Sequence, residues 1–105
     1  MKEVPITQAA MVKTIQAEID LIHRDLLPSL TAFEISLNGP EGPSQESLKQ
    51  EYTRLGELLL QTLLRLDSFT PEGEWEEARK ARKEAVKEIQ GLLTRIDIAW
   101  KGSQA

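Results

Sequence analysis

The sequence predicts an all-α protein, an antiparallel three-helix bundle in up-down-up order. Apolar residues recur at three- and four-residue steps in three long segments, the spacing of one helix face. Short turn-forming stretches separate the segments, and short loops between long amphipathic helices make antiparallel neighbours. No segment alternates with the period of two that a strand requires. A chain of 105 residues builds one core and not two. A single domain over 1–105 is therefore expected, with helices over about 7–37, 45–67 and 72–100.

In the first helix Val12, Ile15, Ile19, Ile22, Leu26, Leu30, Phe33 and Leu37 form the stripe. Pro28 interrupts it, removing a backbone donor at a cost of roughly 3 kcal/mol in a helix interior. Because the stripe keeps phase across Pro28, one long helix kinked just before it is favoured over two short ones. Asn38-Gly39-Pro40-Glu41-Gly42-Pro43 is a loop, since clustered glycine and proline disfavour both helix and strand.

Ser44 offers an N-cap for the second helix. Leu48, Tyr52, Leu55, Leu59, Thr62 and Leu66 make its stripe, broadened by Leu58 and Leu63, with Phe69 packing at the exit. In the second connection Thr70 reads as a cap and Pro71 as the first helical residue, followed by acids suited to the helix dipole. Ala78, Ala81, Ala85, Ile89, Leu92, Ile96 and Trp100 then form the third stripe, and Trp75 and Trp100, which bracket it, read as packing residues.

Composition excludes several functions. Apolar content of 40% with 29% charged residues is ordinary for a folded soluble protein, and no window approaches the ~20 apolar residues of a membrane span. Met1-Lys2-Glu3-Val4-Pro5 lacks the apolar core of a signal peptide, although an anchor or targeting domain upstream in a longer protein is compatible with the sequence. The absence of cysteine removes disulfide, thiolate and zinc-knuckle chemistry and fits a reducing compartment. A cytoplasmic or cytoplasm-facing location is expected.

The net charge of −4 argues against nucleic acid as the partner. The basic run Arg79-Lys80-Ala81-Arg82-Lys83 sits among Glu72, Glu74, Glu76, Glu77, Glu84 and Glu88, in a neutral setting. The sole histidine, His23, follows Asp20 by three residues, but a di-metal bundle site needs two such motifs. His23 thus reads as a helix-edge residue, with no metal or cofactor expected. Acid–base catalysis needs a carboxyl in a desolvated pocket, and Glu76, Glu77 and Glu84 lie in an exposed, highly charged stretch, so no enzyme is expected.

Glu57 and Asp67 stand about 80° apart around the second helix, off its apolar stripe. Arg82 and Gln90 are likewise about 80° apart on the third, with Val86 between them and Arg79 and Lys83 alongside. On antiparallel neighbours these strips merge into a face suited to charge-assisted hydrogen bonds with a partner. Alone, such residues equally fit a solvated face. Leu60 and Leu64, between the two acids, read as either core edge or apolar contacts.

The segment Glu51-Tyr52-Thr53-Arg54-Leu55-Gly56-Glu57-Leu58-Leu59-Leu60, continuing through Leu66-Asp67-Ser68, resembles the second helix of the BAG domain. Pro71-Glu72-Gly73, Glu76 through Val86, Ile89-Gln90-Gly91-Leu92-Leu93 and Ile96-Asp97 are similar to that family's connection and third helix. The resemblance is specific over roughly Leu48 to Asp97 and generic over the first helix. It implies a three-helix bundle that binds the ATPase domain of heat shock protein 70 chaperones and promotes nucleotide exchange. It also implies that Glu57, Asp67, Arg82 and Gln90 contact the chaperone; Arg79, Lys83 and Val86, which lie beside Arg82 on the third helix, read as peripheral contacts. A monomer without direct membrane contact is expected; the alternative is a helical scaffold or self-associating coiled-coil module. Gly56 and Gly91 adjoin Glu57 and Gln90, each costing about 1 kcal/mol in a helix relative to alanine. Close helix packing or close approach of a partner would each account for them.

Overall fold

The computed structural model describes residues 7–39 and 44–104. The N-terminal segment and most of the expected loop before Ser44 lie outside the described residues. Thr7 caps the first helix, its hydroxyl oxygen accepting a hydrogen bond from the Ala10 amide at 3.1 Å. The helix runs over Gln8–Leu21, passes through a π-helical turn at Ile22–Leu26 and continues over Leu27–Asn38.

Pro28 explains that turn. It has no N–H to give the carbonyl of Arg24, and its ring crowds that carbonyl, so the chain widens locally. The Leu27 N–H instead reaches back five residues to the Ile22 carbonyl. Ile22 and Leu26 remain buried within the wide turn, as Ile19 is before it and Leu30 and Phe33 are after it. The expected kink is thus a widened turn inside a continuous stripe. Met11 is buried beside it, while Val12 and Leu37 are only partly covered.

Ser44 caps the second helix, Gln45–Asp67, accepting from the Ser47 amide at 3.2 Å. Leu48, Leu55, Leu59, Thr62 and Leu66 are buried and Tyr52 is partly so. Leu63 and Phe69 pack at the margin, but Leu58, about 100° round from Leu59, is exposed and does not broaden the stripe as expected. Thr62 is buried without polar cost, because its hydroxyl donates to the Leu58 carbonyl at 3.0 Å and accepts from Arg65 at 3.1 Å.

The third helix, Glu76–Gln104, begins later than the Thr70–Pro71 pair suggests. Trp75, packed against the core, anchors a turn in which its amide donates to the Glu72 carbonyl at 2.9 Å. The Arg79 amide then donates to the Trp75 carbonyl at 3.0 Å. The cap comes from another helix: Gln8 Oε1 accepts from the Glu77 and Ala78 amides at 3.0 and 3.2 Å. Two of the free amides of the first turn are satisfied from across the bundle.

Cross-helix pairs set the topology. Gln8 with Ala78 and Glu34 with Arg95 advance together, so the first and third helices are parallel. Asp67 with Arg82 and Tyr52 with Asp97 run in opposite senses, so the second and third are antiparallel. The order is up-down-up. Leu30, Leu55, Leu59, Leu66, Ala78 and Ile89 are fully enclosed between the helices. Trp100 closes the far end, stacked on Tyr52 at 5.3 Å and near Phe33 at 6.5 Å between ring centroids. His23 pairs with Glu88 at the exposed edge between the first and third helices. No helix among the described residues is long and apolar enough to cross a membrane.

Candidate functional site

The antiparallel register carries the last turn of the second helix alongside the first turns of the third. Asp67 there meets Arg82, whose Nη2 donates to Asp67 Oδ1 at 3.4 Å. Residues on one face of the third helix complete a shallow cleft of about 500 Å³, lined by Asp67, Arg79, Arg82, Lys83, Val86, Lys87 and Gln90. Three of the four expected contact residues and all three expected peripheral residues therefore converge on one depression. Asp67 and Gln90 are exposed and Arg82 is half-buried, so none of them belongs to the core.

Glu57 is exposed but does not border this cleft. It lines a separate, wider depression of about 900 Å³ toward the other end of the same helix pair, with Lys49, Thr53 and Trp100 among its walls. The ten-residue step from Glu57 to Asp67 separates them by about 15 Å along the helix axis. The four polar residues thus lie at two separate places on the helix pair and not in one cluster.

The cleft is locally basic. Four cationic side chains face one carboxylate, in a chain whose net charge is −4. Two of the cations are partly engaged. Arg79 Nη1 donates to the Glu72 and Gly73 carbonyls at 3.0 and 2.5 Å, clamping the connection to the third helix. Arg82 has one long bond to Asp67, while its Nε is buried and donates to no group among the described residues. The outer donors of this guanidinium, held at the rim of a largely apolar cleft, are suited to a carboxylate or carbonyl acceptor from another molecule.

Lys87 also lines the cleft and had no functional reading in the sequence. Its position next to Val86 was the available signal. Gly56 and Gly91 impose nothing on the backbone, since no described glycine has a positive φ. A Cβ on Gly56 would meet Ile96 Cδ1 at an ordinary 3.7 Å, and one on Gly91 would meet nothing within 4 Å.

The BAG domain family model matches residues 12–99 of this chain. The chain belongs to the BAG domain family. Its BAG domain is 36% identical over 95 residues to BAG family molecular chaperone regulator 1B of Schizosaccharomyces pombe, covering 90% of this chain and 43% of that protein. It is 47% identical over 49 residues to BAG family molecular chaperone regulator 5 of Bos taurus, covering 47% of this chain and 11% of the relative. The human protein of that name is 45% identical over 49 residues. The chain thus spans less than half the length of the curated relatives that it matches. No solved structure matches it at a significant level. The BAG match begins within the first helix, so it includes the part for which the sequence offered only general amphipathic patterning.

Proposed function

We propose that this BAG domain docks on the ATPase domain of a heat shock protein 70 chaperone through its second and third helices and promotes release of ADP. The supporting observation is the cleft in which Asp67, Arg82 and Gln90 come together on a domain of this family. Glu57, set about 15 Å further along the second helix, supplies a second anchor. The domain extends 52 Å in its longest dimension, enough for one rigid element to contact both lobes of a partner at once.

Such a contact acts on the partner's conformational equilibrium. The chaperone's nucleotide lies between two lobes, and a rigid helix pair that fits the open arrangement better shifts the population toward it. The shift is limited by the difference in affinity for the two states. ADP, losing contacts in the open state, leaves and ATP replaces it. No bond is made or broken by the domain, so its role is regulatory and needs no cofactor. It acts as a monomer in the cytoplasm, or facing it where a longer parent protein carries a membrane anchor.

Titration of a chaperone ATPase domain with this protein, followed by sedimentation, tests the docking. A saturable one-to-one complex is expected. Failure to form a complex, or self-association of the domain in its place, would overturn the proposal.

A further inference from the structure

Glu57, Leu60, Leu64 and Asp67 follow one another on the second helix at steps of three, four and three residues. On a helix of about 100° per residue they fall within one arc of about 80°. All four are exposed, Leu60 at 52% and Leu64 at 69%. Neither leucine serves the bundle, whose interior is already closed at this level by Leu59 and Leu66, both at 0%. Scattered exposed leucines are common and need no explanation. These two stand one turn apart between two acids, and the second acid is itself a wall of the basic cleft.

We infer that Leu60 and Leu64 form the apolar centre of the docking face, seated against a nonpolar spot on the chaperone ATPase domain flanked by basic groups. This rests on the proposed docking. The layout is that of a protein interface, in which a dry apolar centre carries much of the energy and a charged rim sets register. Charge decides the occupant. With acids at both ends of the stripe, a two-fold contact between copies of this chain would bring Glu57 of one copy against Asp67 of the other, carboxylate against carboxylate. A partner presenting bases about 15 Å apart around an apolar spot matches both features.

The test is titration of the chaperone ATPase domain with the wild-type domain and with the Leu60→Gln/Leu64→Gln variant, at low and high salt. Glutamine is a good helix former at exposed positions, and far-UV circular dichroism checks that helicity is kept. The variant should bind about tenfold more weakly or worse at both salt levels, because an apolar contact is not screened. Wild type and variant should sediment as monomers. Equal affinity of variant and wild type would overturn the inference while leaving the docking intact. A wild-type dimer dissociated by the substitutions would overturn it in favour of self-association. If the wild type itself fails to bind, the docking reading falls.

Discussion

Arg82 reaches Asp67 at 3.4 Å, joining the start of the third helix to the end of the second, yet its Nε is buried and donates to no group among the described residues. The bond is long and open to water, with 35% of the Arg82 side chain and 62% of the Asp67 side chain exposed. Exposed pairs of this kind contribute about 0.2–1 kcal/mol to stability. The pair therefore orients the two side chains more than it secures the fold. A partner covering it would change its energetics, since desolvated charge pairs respond to truncation far more strongly.

Arg82→Ala and Asp67→Ala should each weaken ATPase-domain binding by about 2–5 kcal/mol, with helicity unchanged. Because the two residues share a hydrogen bond, the double variant should lose less than the sum of the single losses. Isothermal titration of the four proteins measures this coupling. Unaltered affinity in both single variants would remove these residues from the site.

Gln8→Ala should destabilise the domain by about 1 kcal/mol, since it leaves the Glu77 and Ala78 amides without their acceptor. For a domain of this size the melting temperature should fall by about 4–8 °C. Thermal unfolding followed by circular dichroism provides the measurement. An unchanged transition would mean that the side-chain cap carries no weight.

This cap also marks where the sequence could be read and where it could not. The stripes through Leu30, Leu55 and Ile89, and the Ser44 cap, were legible because helix periodicity and N-capping are local signals. The true start at Glu76 was not, because it depends on Gln8, 69 residues away in sequence from Glu77, and on Trp75 packing into the core. Thr70 and Pro71 carried a valid local cap signal that tertiary contacts overrode. The π turn was visible only as a disturbance at Pro28, since the sequence does not say whether a proline widens, bends or ends a helix. Within the cleft, Asp67, Arg82 and Gln90 were legible through spacing and family likeness. The separation of Glu57 from them was not, because face angles alone ignore distance along the axis.

Stability should decline in acid partly through Glu34. Hydrogen bonds from Arg95 at 2.8 and 2.6 Å hold its carboxyl below its ordinary value of 4.5, against a smaller opposing effect of burial. A lowered folded-state value means stability that is fully present above the ordinary value and is lost as pH falls through the depressed one. With Glu34 26% and Arg95 41% exposed, solvent screening keeps the contribution within about 1 kcal/mol. Glu34→Gln should lower stability at neutral pH by up to that amount and flatten the loss below pH 4.5. Denaturant unfolding at several pH values checks both, and a variant with the wild-type pH profile would contradict the assignment.

Gly91→Ala should stabilise the domain by about 0.5–1 kcal/mol, because the helix keeps an ordinary φ there and a Cβ finds open space. Chemical denaturation measures this. Loss of chaperone affinity in the same variant would mean that the glycine serves the approach of the partner, whereas retained affinity would mean that it serves neither packing nor docking.

The most direct measurement is the rate at which a fluorescent ADP leaves the chaperone ATPase domain, with excess ATP present and this domain added in increasing amounts. The rate should rise with concentration to a plateau, and Arg82→Ala should shift the curve to higher concentration. An unchanged release rate at saturating domain, with the complex shown to form, would contradict nucleotide exchange as the function of this surface.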